Sequence, residues 1–173
     1  MKGGNMHILI TYMSHTGNTK KVAEAIFDEI ASGKEIKRFF EVTGTGGYDF
    51  IFEGFPIHAF GPPDQAKDFM KEFLKGKKAA LFITHAAHED LPELQQWLDR
   101  SKEAAGGAEL LGTFNCQGEL SEEIAEFMLD SGDPDLVAYA KNRSLTLGQP
   151  DADRLQKARD FARKIAAKLE RYG

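Results

Sequence analysis

Apolar positions along the chain switch between two rhythms. His7-Ile8-Leu9-Ile10-Thr11-Tyr12 is a short, β-branched and aromatic run, the pattern of a buried strand. From Asn18 the spacing changes, and Val22, Ala25, Ile26 and Ile30 share one face of a helix that stops near Ser32-Gly33. Strands are predicted over 35–42, 48–55, 77–84 and 109–114, and helices over 64–74, 91–105 and 150–171. Ala66, Phe69, Met70 and Phe73 form the inward face of one helix, Leu94, Trp97 and Leu98 that of the next, and Leu155, Ala158, Phe161, Ala162, Ile165 and Leu169 that of the last. A parallel crossover usually takes a dozen or more residues, but only a handful separate Val42 from the third strand. The helix expected there is therefore missing or reduced to one turn. Residues 120–145 read as mostly helical, an insertion before the final helix. Strands alternating with helices give a doubly wound α/β sandwich.

Length and composition narrow this picture. At 173 residues, 42% hydrophobic and 28% charged, the chain suits one globular domain over 6–173, behind a tail of residues 1–5 and with the insertion at about 119–147. A net charge of −5 argues against nucleic acid as a partner and favours a basic protein. Cys116 is the sole cysteine, so no internal disulfide or Cys-rich metal cluster forms, which is compatible with the cytoplasm. No apolar run approaches the length of a membrane span, and the leader lacks an apolar signal core. Residues 118–140 carry seven carboxylates and no Lys or Arg. They form either a solvated helical face or, over 119–135, a docking surface for a basic redox partner.

The candidate chemistry lies where the first strand hands over to the first helix. Ser14-His15-Thr16-Gly17-Asn18-Thr19 packs hydroxyls, an amide and a glycine into that turn. Helix-start N–H groups lack intrahelical partners, the helix dipole adds positive character, and Gly17 lets the backbone approach a ligand. Such a turn can cradle a phosphate. The plain alternative is an ordinary N-cap with nothing bound. The stretch Thr43-Gly44-Thr45-Gly46-Gly47 lacks the final glycine of a dinucleotide fingerprint and reads as a connector.

Ser-x-Thr-Gly-Asn-Thr directly after a buried first strand resembles the phosphate loop of the flavodoxins, matched here by Ser14, Thr16, Gly17, Asn18 and Thr19 with His15 at the variable position. The resemblance implies a five-stranded parallel sheet of order 2-1-3-4-5 with FMN at its carboxyl edge. It also implies that the loops after strands three and four sandwich the flavin ring. These are Pro56-Ile57-His58-Ala59-Phe60-Gly61 and Thr84-His85-Ala86 with His88. His58 and Phe60 are the stacking candidates, each with a structural alternative: a local carbonyl bond for His58, a hydrophobic plug for Phe60. Gly61 or the Ala59–Phe60 backbone would offer a carbonyl to the ring nitrogen that gains a proton on reduction. The second loop has no Tyr or Trp, so one ring face is open or covered by histidine, leaving room for a substrate. Cys116, near the end of strand five, is a small buried hydrophobe or a thiol touching the cofactor. The resemblance implies an electron carrier between proteins. An FMN-dependent NAD(P)H or quinone oxidoreductase and a non-redox module on the same fold are the alternatives.

Overall fold

A computed structural model describes residues 5–31 and 33–172. Five strands, β1 (His7–Tyr12), β2 (Gly33–Arg38), β3 (Phe50–Pro56), β4 (Lys78–His85) and β5 (Glu109–Gln117), form one parallel sheet in the order β2-β1-β3-β4-β5. The central strands are apolar on both faces because helices cover both. On one side, Ile8, Ile10, Phe50, Phe52 and Phe82 meet α1 (Asn18–Glu29) and the terminal helix α6 (Ala152–Tyr172). On the other, Leu9, Ile51, Phe55, Leu81 and Ile83 meet α2 (Asp64–Phe69), continued by a π-helical turn at Met70–Leu74, and α3 (Leu94–Ala104). Gly54 is required here: a Cβ on it would lie 1.9 Å from the Phe82 ring.

The helix expected between the second and third strands is one 3₁₀ turn, Phe39–Glu41. Phe39 stacks on Phe69 at 4.5 Å, Val42 is buried, and the Thr45 hydroxyl donates to the Phe73 carbonyl at 3.1 Å. Three side chains of the connector thus cover the sheet where a helix was not built.

Several boundaries move. The first helix stops at Glu29, because Ile30 turns extended, and Gly33 already belongs to β2. Ser32, part of the expected stop, lies outside the described residues, as do residues 1–4 of the expected tail. β2 ends at Arg38 rather than running to 42, since its apolar alternation continues into the 3₁₀ turn. β5 runs three residues past Phe114, with Asn115, Cys116 and Gln117 paired to Ile83, Thr84 and His85. The terminal helix starts at Ala152, where Asp151 Oδ1 accepts the Arg154 N–H at 3.0 Å, two residues after Pro150.

The insertion is a helical hairpin of α4 (Glu122–Asp130) and α5 (Pro134–Lys141), followed by a 3₁₀ turn at Arg143–Thr146. Ser121 and Asp133 cap the two helices, as small polar residues do. A small core of Leu120, Ala125 and Ala140 packs against Ala86, which seats the hairpin beside the carboxyl edge of the sheet. Among the described residues, no helix is long and apolar enough to cross a membrane.

Candidate functional site

β1 and β3 are neighbours while the chain crosses from one to the other through β2, so the switch point of the sheet lies at their carboxyl ends. The turn of residues 14–19 sits there. Gly17 is the N-cap of α1, in the left-handed conformation (φ 95°), and no side chain caps the helix. Nothing lies within 4 Å of where a Gly17 Cβ would be, so the backbone faces open space. The Gly17 N–H donates to the Ser14 hydroxyl at 3.1 Å, which closes the turn. His15 and Thr16 are exposed. An uncapped, positively polarised helix start beside the exposed Thr16 fits an anionic group.

The other members of the turn are tied to the protein. The Asn18 amide donates to the Glu119 carbonyl at 2.8 Å, and the buried Thr19 hydroxyl lies 2.8 Å from that of Thr84. Asn18 and Thr19 therefore fix the turn to the insertion and to β4, and only their backbone N–H groups remain for a ligand.

The loop after β3 is a two-residue hairpin. His58 N–H donates to the Gly61 carbonyl at 2.9 Å and Gly61 N–H returns to His58 at 3.1 Å. The central residues Ala59 and Phe60 both have positive φ, 47° and 64°. Non-glycine residues there cost about 1–2 kcal/mol each. Contacts from α3 hold the strained form: Phe60 packs on Trp97 at 5.3 Å, and Arg100 Nη1 donates to the Phe60 carbonyl at 3.0 Å. Of the carbonyls expected to meet the cofactor, those of Phe60 and Gly61 are thus engaged within the protein, which leaves that of Ala59. His58 stacks on His15 at 5.5 Å and 16°, so this loop and the phosphate-type turn touch. Burial, and then the neighbouring His15, lower the pKa of His58. Pro56 closes β3, and Ile57 packs into the core on the α2/α3 face.

The loop after β4 has a different character. His85 is 5% exposed, and its Nδ1 donates to the Ala87 carbonyl at 3.0 Å while Nε2 faces the Asn115 side chain at 2.9 Å. Burial lowers its pKa against the pull of both bonds, since Asn115 presents its Oδ1 to Nε2. Burial works against the Glu89 carboxylate, but Arg154 and the Gln117 N–H outweigh it and hold Glu89 below its usual range. Cys116, weighed as a cofactor contact, is 1% exposed in the core beneath α1 and α6, and burial pushes its thiol up to about 12. His85 and Cys116 are therefore packed inward, while His88 is exposed and Ala86 lines a cavity.

That cavity, about 590 Å³, opens between α3 and α5. Phe60, Ala86 and His88 belong to both the candidate loops and its wall, while none of residues 14–19 does. Trp97, Arg100 and Tyr139 also line it, and sequence reasoning had placed none of them at a site. Their meeting depends on how the insertion folds back, for which the chain carries no local signal.

The profile of the flavodoxin domain matches residues 9–163. The chain belongs to the flavodoxin family. The flavodoxin-like domain-containing protein BilS of Clostridioides difficile is 30% identical over 179 residues, covering 94% of this chain and 98% of BilS. A flavodoxin from the domain Archaea superposes with a TM-score of 0.60 at 18% identity, covering 95% of this chain and 99% of that one. A Lactobacillus acidophilus flavoprotein solved in complex with FMN has a TM-score of 0.52 at 20% identity, covering 65% of this chain and 93% of that one. Among the described residues of this flavodoxin domain, no group of three or more His, Cys, Asp or Glu could hold a metal ion.

Proposed function

We propose that the chain binds FMN at the carboxyl edge of its sheet and transfers electrons between redox partners. The cofactor is FMN. One observation carries the reading: an uncapped helix start with a left-handed, open Gly17 lies beside the exposed Thr16 at the switch point of a flavodoxin sheet. The N–H groups of residues 16, 18 and 19 and the hydroxyls of Ser14 and Thr16 hold the phosphate. The hairpin of residues 58–61 and the segment 86–88 flank the ring. The flavin supplies the electron chemistry, so the protein needs no catalytic triad. Its own contribution is to seat the ring and to exclude water from one side of it. The acidic helices of residues 119–135 speed the encounter with a basic partner protein.

The test is the visible spectrum of the purified protein during stepwise reduction. Flavin absorption that bleaches on reduction supports the reading, and failure to take up FMN supplied in excess ends it. A second reading, an FMN-dependent oxidoreductase acting on a small molecule, is favoured by the cavity beside the ring loops. Turnover of NADPH with a quinone by the isolated protein separates the two, because a carrier shows little.

A further inference from the structure

Among the described residues, three buried side-chain atoms lack a hydrogen-bond partner: both carboxyl oxygens of Glu53 and the hydroxyl of Thr11. They lie together. Thr11 on β1 stands in register with Glu53 on β3, and both residues are 0% exposed. Alternation along the strands puts them on the face of Leu9, Ile51 and Phe55, beneath α2 and α3. Buried groups without partners are rare, and each calls for a physical account.

The surroundings are apolar or already paired. Leu81 is the register neighbour of Glu53 on β4. On β2, Lys37 is in register with Thr11, but its ammonium meets Glu35 at 2.6 Å and the Tyr48 hydroxyl at 2.9 Å. The charged residues of α2 and α3 are exposed, and Tyr139 packs beside Trp97. Burial alone therefore raises the pKa of Glu53 well above the ordinary value. Where a crossover helix would seal this face there is one 3₁₀ turn, so the half-exposed Lys37 and Tyr48 stand one strand away from Thr11. Upward, three residues carry β3 from Glu53 to Pro56, about 10 Å to the carboxyl edge. The pair thus lies under the switch point, and the Met13 N–H on the Gly54 carbonyl joins the same two strands above it. A negative charge added at the edge, acting through protein interior, changes the proton affinity of a carboxyl at that depth about tenfold.

We propose that Glu53 is a proton-binding site coupled to the redox state of the flavin, with Thr11 donating its hydroxyl to the carboxylate whenever the proton is absent. The coupling rests on the function proposed above. The redox partner supplies the electron and solvent supplies the proton. One O–H bond forms on Glu53 as the electron arrives and breaks as it leaves. At low pH the proton is present in both redox states, and Glu53 adds nothing to the pH dependence. Once pH passes its pKa in the oxidised protein, the carboxylate opposes the incoming electron and the potential falls.

The full chain loaded with FMN is titrated spectroelectrochemically from acid to alkaline pH, beside Glu53→Gln. The two potentials should coincide at low pH and part as pH rises. The parent ends lower by about tenfold in the electron-transfer equilibrium, about 59 mV for one electron. Where they part, reduced-minus-oxidised infrared spectra should gain a protonated-carboxyl band that Glu53→Gln lacks. Thr11→Val deprives the carboxylate of its donor, so the parting point moves up by about one pH unit. Infrared titration of the flavin-free protein should show the same upward move for Glu53 itself. Parallel potential profiles for parent and Glu53→Gln overturn the proposal, as does a carboxyl band indifferent to reduction in protein that holds and reduces FMN. A Glu53 titration unmoved by Thr11→Val overturns the part given to Thr11. Failure to take up FMN overturns instead the reading on which the coupling rests.

Discussion

The turn after β1 and the loop after β4 lie on the same edge of the sheet and use similar residue types, yet they dispose of their polar atoms in opposite ways. The first leaves a helix start uncapped, with His15 and Thr16 facing solvent. The second closes on itself: His85 engages both ring nitrogens, Thr84 meets Thr19, and Glu89 holds Arg154 and the Gln117 N–H. Buried polar groups must find partners, so satisfied ones are structural and unsatisfied ones at an open edge are available to a ligand. Residue type does not separate the two regions, but partner accounting does.

The strongest way to break this contrast is to place a charge in the open turn. Thr16→Asp sets a carboxylate where the phosphate is proposed to sit. FMN affinity should fall about 100-fold or more, roughly 3 kcal/mol, while the unfolding midpoint moves little because Thr16 is exposed. Flavin fluorescence titration and urea unfolding measure the two effects. Equal losses of binding and stability would make the turn a cap and nothing more.

The closed loop should respond in the reverse sense. Arg154 bonds both Glu89 oxygens, at 2.7 and 3.2 Å, and reaches the Gln149 side chain at 2.9 Å. Arg154→Ala should cost about 1–2 kcal/mol of stability, with FMN affinity of the folded protein nearly unchanged. A large loss of FMN affinity without a loss of stability would move this loop into the binding machinery.

These tests mark how far the sequence reaches. The turn was legible because small polar residues around Gly17 interrupt an apolar strand and a helix at one point. The fates of Asn18 and Thr19 were not, because their partners Glu119 and Thr84 lie 101 and 65 residues away. β5 was cut short for a similar reason. Asn115 and Gln117 look like loop residues, but they stay in the strand by bonding the His85 ring and the Ala86 carbonyl. The shortened connector after β2 was readable from chain length alone, whereas the cavity between α3 and α5 depends on how the insertion folds back. Glu53 did leave a signal. In Phe50-Ile51-Phe52-Glu53-Gly54-Phe55 both faces are apolar, so the acid had to be buried.

Glu53 sharpens the comparison as a polar group neither satisfied nor open. It is 0% exposed, and neither of its oxygens has a hydrogen-bond partner, nor has the hydroxyl of Thr11, its register neighbour on β1. Burial raises its pKa well above the ordinary value, so the folded state keeps the proton that the unfolded chain releases. The unfolded state therefore binds fewer protons, and stability falls as pH rises above the ordinary carboxyl range. Glu53→Gln should match the parent in stability near pH 4 and exceed it at pH 7. Between those limits the gap should widen by at most about 1.4 kcal/mol per pH unit, the slope of one proton. Unfolding curves across that range decide it, and a parallel pH profile for both proteins would show that Glu53 has a partner.

The smallest effect concerns the contact between the open turn and the strained hairpin. His58 titrates low first because part of its ring is desolvated and second because His15 stacks beside it. His15→Gln removes the second cause alone, so the His58 value should rise yet stay below about 6.5. A lowered histidine means that the unfolded chain takes up protons first. His58 therefore withdraws stability as pH falls below about 6.5, and the variant should lose less over the same interval. Inorganic phosphate sharpens the reading, because an anion seated at the start of α1 favours the charged imidazole and raises His58 further. Proton NMR titration of His58 in the flavin-free protein, with and without phosphate, reads both shifts, and unfolding curves across the same pH interval read the stability. A His58 value indifferent to phosphate would place the anion beyond the reach of this ring and uncouple the hairpin from the turn.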